Sequence, residues 1–216
     1  EIDSDFEDIL YQEKGESQES KVTIQQRISK ENYLKKVNKM LAHIHRGDIY
    51  EANFCMEFYA EEAVIAPYEV YKKLNEISDA PFSVYFKKNQ HYLLSASPER
   101  YLKKENQKVI SQPIKGTAKR FLAVVEDEKS RIELASDPKE RAENIMITDL
   151  VRNDLSRTAQ KGSVQVKESC GIYSFLQVHQ MISTITSKLD PKYAAVDAIK
   201  TTFPMGSMTG APKISA

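Results

Sequence analysis

The chain has 216 residues, of which 41% are hydrophobic and 29% are charged, as in ordinary globular proteins. Its 31 basic and 31 acidic residues cancel, which argues against nucleic-acid binding but allows a local basic pocket for an anionic small molecule. No apolar run reaches membrane-spanning length and no signal peptide is recognisable, so we expect no membrane association. Cys55 and Cys170 fit neither a disulfide framework nor a metal-binding spacing, so we expect a cytoplasmic protein with two buried thiols.

The first part of the chain is strongly acidic. Eight of the first twenty residues are Asp or Glu, and Lys14 is the only basic residue among them. Such a segment offers few apolar side chains to bury. We therefore predict an acidic tail or linker over residues 1–30 and an organised domain over residues 31–216.

Hydrophobic periodicity predicts the elements of this domain. Apolar residues at helical spacing indicate a helix from Glu31 to a stop at Gly47, and alternation over residues 50–58 indicates a half-buried strand. Pro67 opens a short helix, and strands are predicted at 82–86, 92–95, 101–103 and 108–111. The remaining predictions are helices at 138–156 and 194–200 and strands at 164–166 and 175–186. Strands joined by short turns, followed by helices, indicate an α+β fold with antiparallel sheets packed against helices.

Two carboxylates lie at the start of the helix predicted at 138–156. Glu140 and Glu143 are three residues apart, so they share one face of that helix, where they could contact a hard cation such as Mg²⁺. The alternative for Glu140 is a capping box, with Asp137 as N-cap and Pro138 at the first helical position. Glu143 lies past the first turn, so capping does not account for it, although a solvated helix face would.

Three other side chains could carry chemistry. Lys115, between Pro113 and a predicted Gly-Thr turn, would be a nucleophile only if its ammonium were destabilised; otherwise it is a surface lysine. Glu99, at a break between strands, is either a general acid or a surface carboxylate paired with a neighbouring cation. His179 lies on an apolar strand face and is either a core histidine with its hydrogen bonds satisfied or a catalyst.

The loop at 206–212 is rich in turn residues. Gly206 and Gly210 would let backbone N–H groups turn inward, and a helix starting at Pro212 would add its positive dipole end. Lys213 could add charge. The pattern fits an anion site and an ordinary helix-entry loop equally well.

Several segments together resemble one known family. They are GDIYEAN at 47–53, SPER at 97–100, PIKGT at 113–117, RAENIMI at 141–147, DLVRNDL at 149–155, VH at 178–179, ST at 183–184 and TGAPK at 209–213. In this order they are similar to the chorismate-utilising enzymes, and the resemblance spans residues 31–216. Glu51 is a departure, since glutamine is commoner at that position.

The resemblance implies a set of roles. Lysine at position 115 is typical of the members that aminate chorismate at C4 to 4-amino-4-deoxychorismate, for p-aminobenzoate and folate synthesis. Lys115 would attack C2 of chorismate, Glu99 would be the general acid/base, and His179 an active-site histidine. Glu143 and Glu140 would hold Mg²⁺. A loop made of Thr209, Gly210, Ala211 and Lys213 would bind a substrate carboxylate, and a glutamine amidotransferase subunit would supply ammonia.

The resemblance also implies that the catalytic fold is incomplete at its C-terminus. A second group of metal-binding carboxylates and an Arg-Tyr-Gly substrate segment are expected beyond Ala216, so we expect residues 1–216 alone to have little activity. Two alternatives remain. One is the anthranilate-forming branch of the family, which usually has alanine at position 115, and the other is a non-catalytic partner of a glutamine amidotransferase.

Overall fold

The computed structural model describes residues 22–216. Its helices are α1 (Lys30–Arg46), α2 (Pro67–Ser78), α3 (Val124–Ser136), α4 (Pro138–Ser156) and α5 (Ala195–Thr202). Its strands are β1 (Gln25–Gln26), β2 (Glu51–Ala52), β3 (Phe58–Tyr59), β4 (Phe82–Lys88), β5 (His91–Ser97), β6 (Arg100–Glu105), β7 (Lys108–Gln112), β8 (Ile114–Lys119), β9 (Gln165–Ser174), β10 (Val178–Lys188) and β11 (Gly210–Ala211). Most of the predicted acidic tail lies outside the described residues. Within them, no helix combines the length and apolar character needed to cross a membrane.

The described residues form two compact units, of which the first comprises residues up to Lys36 and Cys55–Pro98. Its main feature is the β4–β5 hairpin, which pairs antiparallel from Phe82 opposite Ser97 to Lys88 opposite His91. Helix α2 packs on this hairpin, and the Tyr68 ring meets the Tyr85 ring edge-on at 5.8 Å between centroids. The predicted helix at Pro67 and the predicted hairpin are thereby confirmed.

The second unit comprises Val37–Phe54 and Glu99–Ala216 and contains every predicted site residue. Strand β10 is central to its antiparallel sheet, with β9 on one side, β7 and β8 in succession on the other, and β6 outside β7. Helices α3 and α4 pack on this sheet. The core forms where Ile147 and Leu155 of α4 meet Ile185 of β10, all at most 1% exposed. The α+β fold with antiparallel sheets is confirmed.

Helix α4 has the predicted bounds because its start is encoded locally. The Asp137 side chain accepts hydrogen bonds from the backbone N–H groups of Lys139 (2.8 Å) and Glu140 (3.0 Å), and Pro138 occupies the first turn. The Asp137 N–H donates to Leu134 O rather than to Glu140. Capping therefore uses the Asp137 side chain and leaves the Glu140 carboxylate for other contacts.

Strand β8 contains a bulge where the sequence predicted a turn. Gln180 lies opposite Thr117 and Ile182 opposite Ile114, so Lys115 and Gly116 both face Met181. Gly116 has φ +97°, and a Cβ there would lie 3.2 Å from the Met181 Cβ and 3.3 Å from the Glu140 Cβ. Glycine suits this position because it adopts a positive φ without strain and has no Cβ to crowd Met181 and Glu140. The prediction of a Gly-Thr turn was wrong, since Lys115 is inside a strand.

Other predictions failed where pairing partners change. The strand predicted at 50–58 is interrupted, because β2 pairs with β11 whereas β3 pairs with β1. Cys55 falls in the gap and is exposed, contrary to prediction, whereas Cys170 is buried as predicted. Helix α3 was not predicted, since its N-cap is Ala123 and its side chain makes no capping bond. At Pro212 the described residues form one turn, with Ser215 and Ala216 N–H groups donating to Pro212 O, rather than a helix.

Candidate active site

Glu99 lies between β5 and β6, directly before Arg100 of β6, and is partly buried. Its Oε1 accepts hydrogen bonds from the Ser207 hydroxyl (2.7 Å) and from the Ile114 backbone N–H (3.0 Å). Burial raises the pKa of Glu99, and the Ser207 bond, the Ile114 bond and the positive charge of Lys115 oppose that shift. A carboxyl group with this balance can hold a proton nearer neutral pH, as a general acid requires.

Lys115 extends from the β8 bulge into a partly enclosed position, with 17% of its side chain exposed. Its Nζ lies 3.3 Å from Glu51 Oε1, and its charge acts on Glu99. The surface-lysine alternative does not fit this burial. The structure therefore brings Lys115 and Glu99 together and adds Glu51, for which the sequence had assigned no chemical role.

Asn144 holds the bulge in place. Its amide Nδ2 donates to the carbonyl oxygens of Lys115 (3.1 Å) and Met181 (2.9 Å), one on each side of the irregular pairing. Its Oδ1 accepts from the Ser183 hydroxyl. Sequence reasoning missed Asn144, although it directly follows Glu143 in RAENIMI, because a bulge carbonyl that needs a donor is visible only once the strands are paired.

Substituting Asn144 with alanine should therefore destabilise the fold. The residue is 1% exposed, and two bulge carbonyls would lose their donor, so we expect a loss of about 2–4 kcal/mol. Urea unfolding of the intact protein measures this change. Asn153→Ala, at an exposed position of the same helix, is the control and should cost less than about 1 kcal/mol. Equal stabilities of the two variants would contradict the bridging role.

Glu140 and Glu143 converge on one point near the start of α4. Lys139 Nζ lies 3.1 Å from Glu140 Oε1 and 3.1 Å from Glu143 Oε1, so one cation can contact both carboxylates. Glu143, and then Glu140, raise the pKa of Lys139. The described residues contain no cluster of three or more His, Cys, Asp or Glu side chains suited to a metal. Two carboxylates fit Mg²⁺, which commonly takes one or two from the protein and completes its shell with water and substrate.

His179 is placed away from the described contacts of Lys115. The ring is 1% exposed, with Nδ1 2.8 Å from the Ser174 hydroxyl and Nε2 3.0 Å from Asp127 Oδ1. Both nitrogens are thus engaged, which favours the core-histidine alternative, and the catalytic role stays a prediction. The next residue, Gln180, points to the opposite face of β10, and its Oε1 is buried without a hydrogen bond from the described residues.

The loop predicted to bind a carboxylate is built as a short strand. Gly210 and Ala211 pair with Ala52 and Glu51, and a Cβ on Gly210 would lie 2.4 Å from Glu51 O, so glycine permits this close approach. The pairing holds the backbone of Glu51 in place. Ser207, three residues before Gly210, donates to Glu99.

Lys213 has acceptors within the protein. Its Nζ donates to Asp154 Oδ2 and to Thr202 O, both at 2.6 Å. The Lys213 side chain is 13% exposed and the Asp154 side chain is 6% exposed. This buried pair anchors the end of the loop to α4. The substrate-binding roles of Thr209, Gly210, Ala211 and Lys213 stay predictions, and for Lys213 the observed bonds indicate a structural function.

The arrangement combines an amine with two carboxylates of different character. Lys115 lies beside Glu51, whereas Glu99 is partly buried and hydrogen-bonded. Glu140 approaches the same bulge, since its Oε2 would lie 3.3 Å from a Cβ on Gly116. Such a site can attack an electrophilic carbon with an amine and protonate a leaving group.

Comparison with known proteins identifies relatives of this chain. The aminodeoxychorismate synthase component 1 of Escherichia coli K12 is 39% identical over 192 residues, which cover 89% of this chain and 42% of that protein. The anthranilate synthase component 1 of Bacillus subtilis is 36% identical over 194 residues, covering 90% of this chain and 38% of that protein. The chain thus spans less than half the length of these relatives.

A solved structure supports the same relationship. The crystal structure of anthranilate synthase component I from Streptococcus pneumoniae superposes with a TM-score of 0.80 at 26% identity, covering 99% of this chain and 48% of that one. The model of the family described as "chorismate binding enzyme" matches residues 3–216. The chain belongs to the chorismate binding enzyme family.

Proposed function

We propose that this protein is an aminodeoxychorismate synthase component I, which converts chorismate and ammonia to 4-amino-4-deoxychorismate. The observation that carries the proposal is Lys115, an amine held in a strand bulge, whose charge acts on the partly buried carboxyl of Glu99. The relative from Escherichia coli that bears this name supports it. The anthranilate synthase relatives are nearly as similar, so the proposal rests on Lys115 rather than on percent identity.

The proposed chemistry has two stages. Lys115 Nζ forms a bond to C2 of chorismate while the ring double bonds shift and the C4–O bond breaks, and Glu99 donates a proton so that the hydroxyl leaves as water. Ammonia then adds at C4, the double bonds shift back, and the C2–N bond to Lys115 breaks. Holding the amine and the acid on fixed backbone lowers the entropic cost of reaching this geometry.

We further propose that Glu143 and Glu140 hold Mg²⁺. When bound, the ion would supply positive charge to a substrate carboxylate. The convergence of both carboxylates on the Lys139 ammonium supports this assignment. Ammonia would come from a glutamine amidotransferase subunit, which the "component 1" names of relatives support. The product would serve p-aminobenzoate and folate synthesis.

Glu143→Gln should weaken divalent-cation binding by at least about tenfold, because it removes one of two anionic ligands. Mn²⁺ titration followed by electron paramagnetic resonance measures the affinity without relying on turnover. Glu133→Gln, an exposed position on α3, is the control and should bind Mn²⁺ like the unmodified protein. An unchanged affinity in Glu143→Gln would remove this residue from the metal site.

Product analysis tests the proposed function against its nearest rival. The intact protein is incubated with chorismate, ammonium and Mg²⁺, and products are separated by chromatography. We expect 4-amino-4-deoxychorismate and no release of pyruvate. Fluorescent anthranilate with an equal amount of pyruvate would instead assign the protein to the anthranilate-forming branch.

A further inference from the structure

Glu51 is placed where it can act on Lys115. Its Oε1 lies 3.3 Å from Lys115 Nζ, and 14% of the Glu51 side chain and 17% of the Lys115 side chain are exposed. The same oxygen is shielded from solvent and accepts no hydrogen bond from the residues that the structure describes. A buried carboxylate oxygen with no hydrogen bond is costly to maintain unless a cation or a proton compensates for it.

Both members of the pair are held by backbone contacts. Glu51 lies in β2, opposite Ala211 of β11, and the Tyr50 N–H donates to Ala211 O at 2.7 Å. Lys115 lies in the β8 bulge, whose carbonyls Asn144 bridges. The approach of the ammonium to the carboxylate therefore depends on strand pairing and on the bulge that Asn144 bridges.

An amine attacks carbon only after its ammonium has lost a proton, and in a shielded site the acceptor must lie close by. Glu99 is less well placed to accept this proton, because its Oε1 already accepts hydrogen bonds from Ser207 and Ile114 and because its proposed role is to give a proton to the leaving hydroxyl. Glu51 Oε1, by contrast, accepts no hydrogen bond from the described residues. Of the two carboxyl groups near Lys115, Glu51 is therefore the better placed to accept its proton.

We propose that Glu51 is the catalytic base that takes the proton from Lys115, which divides the acid and base roles between Glu99 and Glu51. The Lys115 N–H bond breaks as the proton moves to Glu51 Oε1, and the freed electron pair forms the bond to C2 of chorismate. Glu99 gives its proton to the departing C4 hydroxyl. When ammonia later displaces the lysine, Glu51 returns the proton to Nζ. This inference rests on the proposed function.

The test is the rate at which the chorismate adduct forms on Lys115, measured by rapid quench and intact-protein mass spectrometry across a range of pH. In Glu51→Gln we expect adduct formation at neutral pH to be about 100-fold slower than in the unmodified protein. The ratio of the two rates, compared at the same pH, should approach one as pH rises and hydroxide replaces the base, because any decline caused by Glu99 affects both proteins. Glu51→Asp keeps a carboxylate and should be at least tenfold faster than Glu51→Gln. Chorismate affinity should change less than threefold in both variants.

The control is Glu105→Gln, which makes the same change at an exposed carboxylate paired with Lys103. Its adduct should form at the unmodified rate. Equal rates for Glu51→Gln and the unmodified protein at every pH would overturn the role of Glu51 as the base, and the proposed function would still stand. Glu51→Asp no faster than Glu51→Gln would also overturn it. If the unmodified protein formed no adduct, the proposed function itself would fail.

Discussion

Replacing Lys115 with alanine is expected to lower the rate of ammonia-dependent chorismate amination at least about 1000-fold, because the substitution removes the amine that is proposed to form the covalent adduct. The adduct on the protein should disappear from intact-mass spectra. Chorismate should still bind, since the proposed carboxylate contacts lie elsewhere. Steady-state kinetics and mass spectrometry on the intact protein measure both effects.

The matched control is Lys119→Ala, four residues along the same strand, where the side chain is exposed. That variant should aminate chorismate at the unmodified rate. Unchanged amination in Lys115→Ala would exclude Lys115 from the mechanism. Absence of turnover in the unmodified protein, with retained binding of a glutaminase subunit, would favour the non-catalytic alternative.

Glu99→Gln is expected to slow amination by about 10² to 10⁴-fold, the range that a positioned general acid contributes. Because burial raises the pKa of Glu99, its acid form persists to higher pH than an ordinary glutamic acid allows. Activity should therefore decline as pH rises through this raised pKa, and the decline should be absent in Glu99→Gln. The pH profile of kcat/KM measures both features.

Glu126→Gln, on the exposed surface of α3, provides the comparison for this variant and should keep the full pH profile. A Glu99→Gln protein with the same alkaline decline would show that another group causes it. A Glu99→Gln protein with unchanged rate would assign the proton donor elsewhere. The stabilities of both variants can be checked by urea unfolding, so that loss of activity is not confused with loss of fold.

The helices and strands were predicted correctly where residues close together in the sequence determine where an element begins and ends. Helix α4 begins at Pro138 because Asp137 caps it, and both residues are adjacent in the sequence. The β4–β5 hairpin likewise depends on neighbouring strands and a short turn. Helix α3 has no capping side chain, so its start carries no comparable signal.

The candidate site was predicted in part. Ordered motifs identified the family, and Lys115 with Glu99, and Glu140 with Glu143, are each close together in the structure. The roles predicted for His179 and Lys213 did not anticipate their contacts, because each side chain bonds to a protein group that the motifs do not reveal. Asp127 engages His179, and Asp154 engages Lys213.

The sequence by itself determined the family, the α+β class, the bounds of the capped helix and the candidate residues, because these follow from composition, local spacing and motif order. Only the tertiary structure decided that Lys115 lies in a bulge, that Asn144 bridges it and that Glu51 contacts the amine. Glu51 and Lys115 are 64 positions apart. Their approach depends on the pairing of β2 with β11 and of β8 with β10, and strand register and burial across such distances leave no local pattern in the chain.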